Sequence, residues 1–415
     1  MRILFLSQYY PPEMGAAANR VGFFARRLAE WGHTVTVITA VPNYPHGQVR
    51  EGYRGRLVME SDEANVRVLR CWVYATRKGG LLPRLLNYFS FVVAASLTGL
   101  CRAGRQDVVV VESPPLFVGI SGLLIRRFCR ASLVFNVSDL WPETAIALNA
   151  LRSRFLIWLS TALEELLYRH SDLITGQTAG IVQNIRTRVP SVPVVLITNG
   201  ADVGQYLAQP VHRRAKKELG LEENFLVGYT GLHGLAQGLQ TVLEAAAQIR
   251  NEKPIRFVFF GDGPEKPELV EMARNMALEN VHFFPAVPQA NMPDVLASLD
   301  VAVVPLRRNE LFWGALPSKL FEAMAASLPV ILCAEGEARR VVLEAEGGIC
   351  VPPEDAHALA EAVLRLYRDA SLRKIAGEKG REYVQEKYDR VRIAKVLEQQ
   401  LVRLENSHQA LRSHV

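Results

Sequence analysis

Short runs of β-branched and apolar residues alternate with longer amphipathic runs along almost the whole chain, and the alternation occurs twice. In the first array, strand-like residues 2–7 and 34–39 flank an amphipathic stretch at 19–31, which gives a β-loop-α-β unit. Residues 107–111 and 133–137 read as buried strands, 156–168 as a helix, and 173–175 and 194–197 as closing strands. The second array places strands at 226–230, 256–260, 281–284, 301–305, 330–333 and 348–351, with helical patterns at 239–249, 267–277, 292–298 and 319–326. From 356 to about 405 the pattern is almost entirely helical, with charges on one face. Two such arrays imply an α/β chain with two doubly wound parallel sheets, each covered by helices on both faces.

The length agrees: 415 residues suit two domains, and 49% apolar with 22% charged residues is ordinary globular chemistry. The boundary is expected within 198–223, where Asn199-Gly200, Pro210 and the charged stretch 213–217 supply turn and linker chemistry. Five cysteines, at 71, 101, 129, 333 and 350, are odd in number and form no C-x-x-C pair, which fits reduced thiols in a cytoplasmic protein. The apolar residues 3–6 are too few for a signal peptide and read as a first strand.

Charge is distributed unevenly. Residues 1–200 carry 22 Lys+Arg against 13 Asp+Glu, a net of +9, whereas residues 201–415 carry a net of −3. In the first part every cation except Lys78 is Arg, the side chain suited to bidentate phosphate contacts and also a common solvated surface residue. An uncharged run at 85–101 falls short of the roughly 20 clean residues of a bilayer span and is flanked by arginines. It suits a core helix or one lying at a membrane surface.

Several turns carry candidate chemistry. Gly15, followed by three alanines, opens the first helix, so a phosphate could approach its backbone amides; a tight turn accounts for the glycine equally well. Neither the dinucleotide pattern G-x-G-x-x-G nor a P-loop is present. Gly231 to Gly238, and Gly261-Asp262-Gly263-Pro264, join strand to helix through glycines. His233 lies in such a loop at a strand's carboxyl end, where open α/β sheets bind ligands. The most informative stretch is Pro317-Ser318-Lys319 with Glu322 one turn on. There amides, a hydroxyl and an ammonium converge where a diphosphate would sit, and the carboxylate suits paired ribose hydroxyls.

These motifs, with Asn199-Gly200-Ala201-Asp202 and Glu322-Ala323-Met324-Ala325, together resemble family 4 of the retaining glycosyltransferases, which have the GT-B fold. Tyr9 to Gly15 and Ser138-Asp139-Leu140-Trp141-Pro142-Glu143 are similar to a WbuB-like subgroup of bacterial surface-polysaccharide transferases, associated with N-acetylfucosamine transfer. The resemblance implies two facing Rossmann-like domains. Residues 1–198 would form the acceptor-side domain, 199–222 a linker, 223–387 the nucleotide-sugar domain, and 388–415 helices returning to the first domain.

It also implies donor contacts from Gly15, His233, Gln237, Gly263, Val287, Ser318, Lys319 and Glu322, with Glu322, Lys319 and Asp139 as the catalytic set. Asp139 would act on or orient the acceptor hydroxyl, although a helix cap explains it as well. Three departures stand out. The first glutamate of the family's E-x7-E motif falls at Gly314, with Glu310 four residues early. The usual Arg and Lys near the donor phosphates fall at Leu232 and Gln237, a loss Lys319 would make good. A histidine common after the fifth N-terminal strand is replaced near Asp139.

The expected function is transfer of a sugar from a UDP-sugar, with retention, to a lipid-linked or glycan acceptor, the lipid being a polyprenyl diphosphate. The expected setting is the inner face of the plasma membrane, with peripheral contact to anionic lipid, no cofactor, no divalent metal and no nucleic-acid partner. Two other functions fit the same residues: a UDP-sugar 2-epimerase, and a non-catalytic nucleotide-sugar-binding subunit.

Overall fold

A computed structural model describes the chain apart from residues 14, 45–46, 78–79, 148–150, 207–215 and 414–415. It divides into two compact units, Met1–Thr198 with Val391–Val415, and Asn199–Arg390.

The first unit is built on eight strands: β1 (Arg2–Leu6), β2 (Thr34–Ala40), β3 (Val58–Glu63), β4 (Val66–Cys71), β5 (Val108–Ser113), β6 (Ser132–Val137), β7 (Leu173–Gly176) and β8 (Val194–Leu196). Their order is β3-β4-β2-β1-β5-β6-β7-β8, and only β3 runs antiparallel to its neighbour. The central strand β1 pairs with β2 and β5, so that Phe5 lies between Val37 and Val110. Alternate residues of β1 face opposite cores, because side chains in a strand have a period of two. Ile3 and Phe5 pack with helix Ala16–Glu30 and with Ala394 and Leu401 of the terminal helix. Leu4 and Leu6 pack in the core that also takes Phe91, Ile125 and Leu167. Burial on both faces explains why these strands are continuous apolar runs.

The β3–β4 hairpin is absent from the sequence-based assignment. Its turn residues, Ala64 and Asn65, both have positive φ, the conformation of a type I′ turn, without the Asn-Gly pair that signals one. Its edge strand, with Glu60, Asp62 and Glu63, is too acidic to read as a strand. The same charges protect an exposed edge from pairing with another chain.

The second unit carries six parallel strands, β9 (Phe225–Thr230), β10 (Ile255–Phe260), β11 (Val281–Phe284), β12 (Val301–Pro305), β13 (Val330–Cys333) and β14 (Gly348–Val351), in the order β11-β10-β9-β12-β13-β14. Helices Gln240–Gln248 and Ala356–Arg368 cover one face, and Ser318–Ala325 and Glu337–Ala345 the other. Residues 199–206, expected in a linker, belong to this unit instead. Ala201 pairs with Asp389, and Ala201, Val203 and Tyr206 are buried in the core around Phe321. An apolar residue every few positions holds this segment down where turn chemistry alone suggested a connector. Most of the expected linker's charged stretch lies outside the described residues.

Candidate functional site

In both units the strand order reverses at the centre, between β1 and β5 and between β9 and β12. At such a reversal the loops beyond the carboxyl ends of the strands turn to opposite sides, which makes it the usual ligand site of an open α/β sheet.

In the second unit, helix Ser318–Ala325 begins at this edge behind Pro317, with no capping side chain on its first turn. The leading amides of a helix lack intrahelical acceptors and carry the positive end of its dipole, so this turn offers donors to an anion. The opposite face is anchored: Leu320, Phe321, Ala323 and Met324 are buried, and Phe321 stacks on Tyr388 at 4.5 Å. Lys319 Nζ donates to the Tyr229 hydroxyl at 2.6 Å and lies 4.0 Å from that ring's centre. The Tyr229 hydroxyl in turn donates to the Leu232 carbonyl at 2.6 Å. Burial pushes the Lys319 ammonium down to about 7, with Glu322 opposing the shift. The lysine is therefore a charge in reserve, which an incoming anion would restore.

Glu322 is 7% exposed and its carboxyl is raised by burial, against the pull of Arg390, Gln289 and Lys319. Gln289 Nε2 donates to Glu322 Oε1 at 3.3 Å, which ties the loop after β11 to this helix. Val287, two residues earlier, is half-buried against the same core. Lys319 and Glu322 thus interact on one helix that Ser318 opens, and Val287 lies in the loop that reaches Glu322 through Gln289.

The glycine turns after β9 and β10 press against each other. A Cβ on Gly261 would lie 1.8 Å from the Gly231 carbonyl oxygen, and one on Gly263 2.4 Å from the His233 carbonyl oxygen. Only glycine permits that approach. A Cβ on Gly231 would lie 3.0 Å from Lys319 Nζ, so this turn also leaves room for the ammonium.

His233 departs from its expected role as a donor contact. Its ring is fully buried among Tyr229, Phe259 and Phe283, and burial lowers its pKa to about 4. Its backbone serves the turn, donating to Asp262 and accepting from Glu265. The imidazole packs inside the unit as a neutral aromatic because the aromatic strand residues around it fold over the loop. Gln237 closes a short 3-10 turn, Leu235–Gln237, in the same loop. Glu310 is exposed at the start of the 3-10 turn Glu310–Gly314.

The sequence reading missed Tyr229, Gln289 and Arg390 around this centre, and Arg307 beside it. Arg307 lies against Gly238 and pairs with Glu265 at 3.3 Å, which puts a cation next to the β9 loop where the expected basic residues are missing. An Arg directly after the apolar run 301–306 was the available signal.

Gly15 and Asp139 belong to the first unit. Gly15 precedes helix Ala16–Glu30 with φ 144°, and nothing lies within 4 Å of where its Cβ would be, so the helix start is open. Asp139 is half-buried and accepts from the Thr144 hydroxyl at 2.6 Å; burial raises its carboxyl against that hydrogen bond. The two residues are connected through Arg20, four residues into the Gly15 helix. Its guanidinium pairs with Glu112 and donates to the Ser138 hydroxyl at 2.6 Å. Asn136 donates to Glu112 at 3.0 Å, and Gln177 to Ser138 at 2.7 Å. This buried network fixes the loop that carries Asp139. Its one visible clue was the acid Glu112 ending an otherwise apolar strand.

Residues 15–200 match a family model described as a glycosyl transferase 4-like domain, and residues 224–369 match glycosyl transferases group 1. WcaI of Escherichia coli strain K12, a putative colanic acid biosynthesis glycosyl transferase, is 28% identical over 401 residues, covering 94% of this chain and 97% of its own length. Sucrose-phosphate synthase from Thermosynechococcus elongatus has a TM-score of 0.77 at 21% identity, over 98% of this chain and all of its own. Anabaena HepE in complex with UDP and glucose has a TM-score of 0.72 at 18% identity, over 96% and 99%. With two doubly wound units and a terminal helix packed on the first of them, the chain belongs to the group 1, family 4 type of glycosyltransferases and has the GT-B fold.

Proposed function

We propose that this glycosyltransferase takes a UDP-sugar and moves the sugar, with retention at the anomeric carbon, to a lipid-linked or glycan acceptor in surface-polysaccharide synthesis. The observation that carries the donor half is the placement of Ser318, Lys319 and Glu322 on the first turns of one uncapped helix, with the Lys319 ammonium beside the glycine turn at Gly231. HepE, whose structure holds UDP and glucose, and WcaI, named for colanic acid biosynthesis, support the donor and the polysaccharide respectively. The sugar implied by the resemblance in the Tyr9 and Ser138 motifs is an N-acetylated deoxyhexosamine such as N-acetylfucosamine.

In this reading Glu322 holds the ribose hydroxyls and Val287 borders the base. The amides of Ser318 and Lys319 take the diphosphate. As the bond from anomeric carbon to phosphate oxygen breaks, negative charge grows on the departing diphosphate, where donors already in place stabilise it most. The acceptor oxygen forms the new bond and releases its proton, with Asp139 as the group that orients or receives it. The leaving group needs no protonation by a carboxylic acid, unlike a glycoside. Amides and Lys319 supply the positive potential, so the reaction is proposed to run without a divalent metal. A donor screen that detects free nucleoside diphosphate by mass spectrometry, run with and without EDTA, tests both points. Release of UDP from no UDP-sugar, or release strictly dependent on Mg²⁺, would count against the reading.

The membrane half rests on one face of the first unit. Helix Leu81–Arg102 is long and apolar enough to cross a bilayer, and a third of its most apolar stretch is buried. Phe91 and Ala95 face the core, while Leu86, Phe89, Val93 and Leu97 form an exposed stripe at helical spacing. Helix Val118–Cys129 packs beside it with Phe128 exposed, and helix Arg154–Arg169 follows with Trp158 exposed. Arg84, Arg127 and Arg154 are exposed on the same three helices. An apolar face studded with arginines suits an anionic lipid surface. Flotation with phosphatidylglycerol vesicles at low salt should retain the wild type and release a Phe128→Glu/Trp158→Glu variant. A wild type that ignores the vesicles overturns this half.

A further inference from the structure

The carboxyl edge of the first sheet carries a row of half-exposed aromatic rings that no step above uses. Tyr44 and Tyr9 meet edge to face at 5.5 Å, and the hydroxyls of Tyr9 and Tyr88 are hydrogen-bonded. Tyr88 lies 6.3 Å from Phe117, and Phe117 lies 5.3 Å from Trp141, two residues beyond Asp139. Phe117 also meets Phe89 of the exposed apolar stripe, at 4.6 Å. The row thus begins in phenols, ends at Trp141 in the segment that carries Asp139, and borders the apolar helix face.

Two buried acceptor atoms without partners lie in the segments around Tyr9. Glu13 is 3% exposed. Its Oε1 takes the amides of Asn43 and Tyr44 at 2.7 and 2.8 Å, and its Oε2 has no partner. Gln8 is 1% exposed. Its Nε2 donates to Asn87 at 2.6 Å, and its Oε1 has no partner. Leaving a buried acceptor unmet is costly, and two such atoms on side chains bonded to the Tyr44 amide and to Asn87, beside Tyr88 in the chain, suit hydroxyl donors from a ligand. A sugar ring supplies both halves of that demand, since its C–H face lies on aromatic rings and its rim carries hydroxyls. Aromatic side chains with a polar tip suit a ligand of that mixed character.

We propose that Tyr9, Tyr44 and Tyr88, backed by Glu13 and Gln8, form the subsite for the acceptor's sugar head, and that Phe89 and Phe117 lead from it to the lipid tail. The proposal rests on the glycosyltransferase reading, and it makes the acceptor an amphiphilic saccharide. Glu13 is a positioning residue here: by holding the Tyr44 amide it sets that ring against Tyr9.

The test titrates the full chain with decyl β-glycosides of glucose, galactose, N-acetylglucosamine and N-acetylfucosamine, below their micelle concentrations, followed by saturation-transfer NMR. Decyl tri(ethylene glycol) is the control without a sugar, and UDP is titrated separately. At least one glycoside binds the wild type more tightly than the control. Tyr44→Ala, at an already exposed ring, weakens it by about fivefold or more, as does Glu13→Gln, and UDP affinity is unchanged. If no glycoside binds, if the control binds equally, or if both variants bind like wild type, the subsite is overturned. Failure of UDP to bind while a glycoside does would instead strike the donor assignment alone.

Discussion

The two sheets share a topology around their central strands, yet the same edge is furnished differently in each. In the second unit it holds glycine turns and the uncapped helix start that carries Lys319. In the first it holds a row of aromatic rings and a buried ion pair. Two cations, Arg20 and Lys319, show why this matters. A guanidinium keeps its charge at any ordinary pH, so burying Arg20 requires Glu112 as a close partner, and the pair is locked. An ammonium can give up its proton, so Lys319 is held by a phenol oxygen, with its nearest carboxylate a turn away. In the proposed reading the first edge is a rigid frame for a ligand of mixed polarity, and the second an adjustable receptor for an anion. One architecture thus serves two tasks through the side chains at its rim.

The contrast can be broken most severely at Arg20. Glu112→Ala leaves that guanidinium buried without its carboxylate and should lower unfolding stability by about 3–5 kcal/mol in urea titrations. UDP affinity should remain within about twofold, a change worth less than a typical hydrogen bond. A loss below about 1 kcal/mol would show that the network is not the rigid element described.

Next in size, Lys319→Met should cost about 10²-fold in turnover of the UDP-sugar, the scale of losing one donor to a developing anion. Turnover within a few-fold of wild type would remove Lys319 from the catalytic set.

The adjustable charge has its own signature. Lys319 is charged below about 7 and neutral above it, so UDP should bind more weakly as pH rises through that value, and Lys319→Met should flatten the dependence. The sign for stability is opposite. Between about 7 and the ordinary 10.5 the unfolded chain binds the extra proton, so wild type gains stability relative to Lys319→Met across that window as pH rises. Calorimetric titration and thermal melts at matched pH check the two slopes.

The smallest effect belongs to Tyr229→Phe. It removes the hydrogen-bond acceptor for Lys319 and keeps the ring beneath it, so UDP affinity should fall by about two- to tenfold. No change would mean that the phenol oxygen does not position the lysine.

Much of the fold was readable because each parallel strand and each amphipathic helix is a local pattern. β1, β2 and every strand of the second sheet lie within a residue or so of their expected places. The β3–β4 hairpin was not readable, since an acidic edge strand and an Ala-Asn turn leave no apolar alternation to find. Ser318, Lys319 and Glu322 were readable because a helix start and an i,i+4 spacing bring them together. Their partners were not: Tyr229 lies 90 residues from Lys319 and Gln289 lies 33 from Glu322, brought together only by the folded sheet. His233 was misplaced for a related reason, because a loop position says nothing of the aromatic residues that close over it.

From sequence alone came the two β/α arrays, the turns that need glycine, and the helix that presents a hydroxyl, an ammonium and a carboxylate together. All of these depend on residues within a turn or two of each other. Tertiary structure alone decided that Lys319 is desolvated against Tyr229, that His233 is walled in, that Arg20 is committed to Glu112, and that the tyrosines of three separate segments meet. Burial and long-range pairing come from packing distant segments together, and that packing sets the dielectric surroundings on which charge and hydrogen-bonding strength depend.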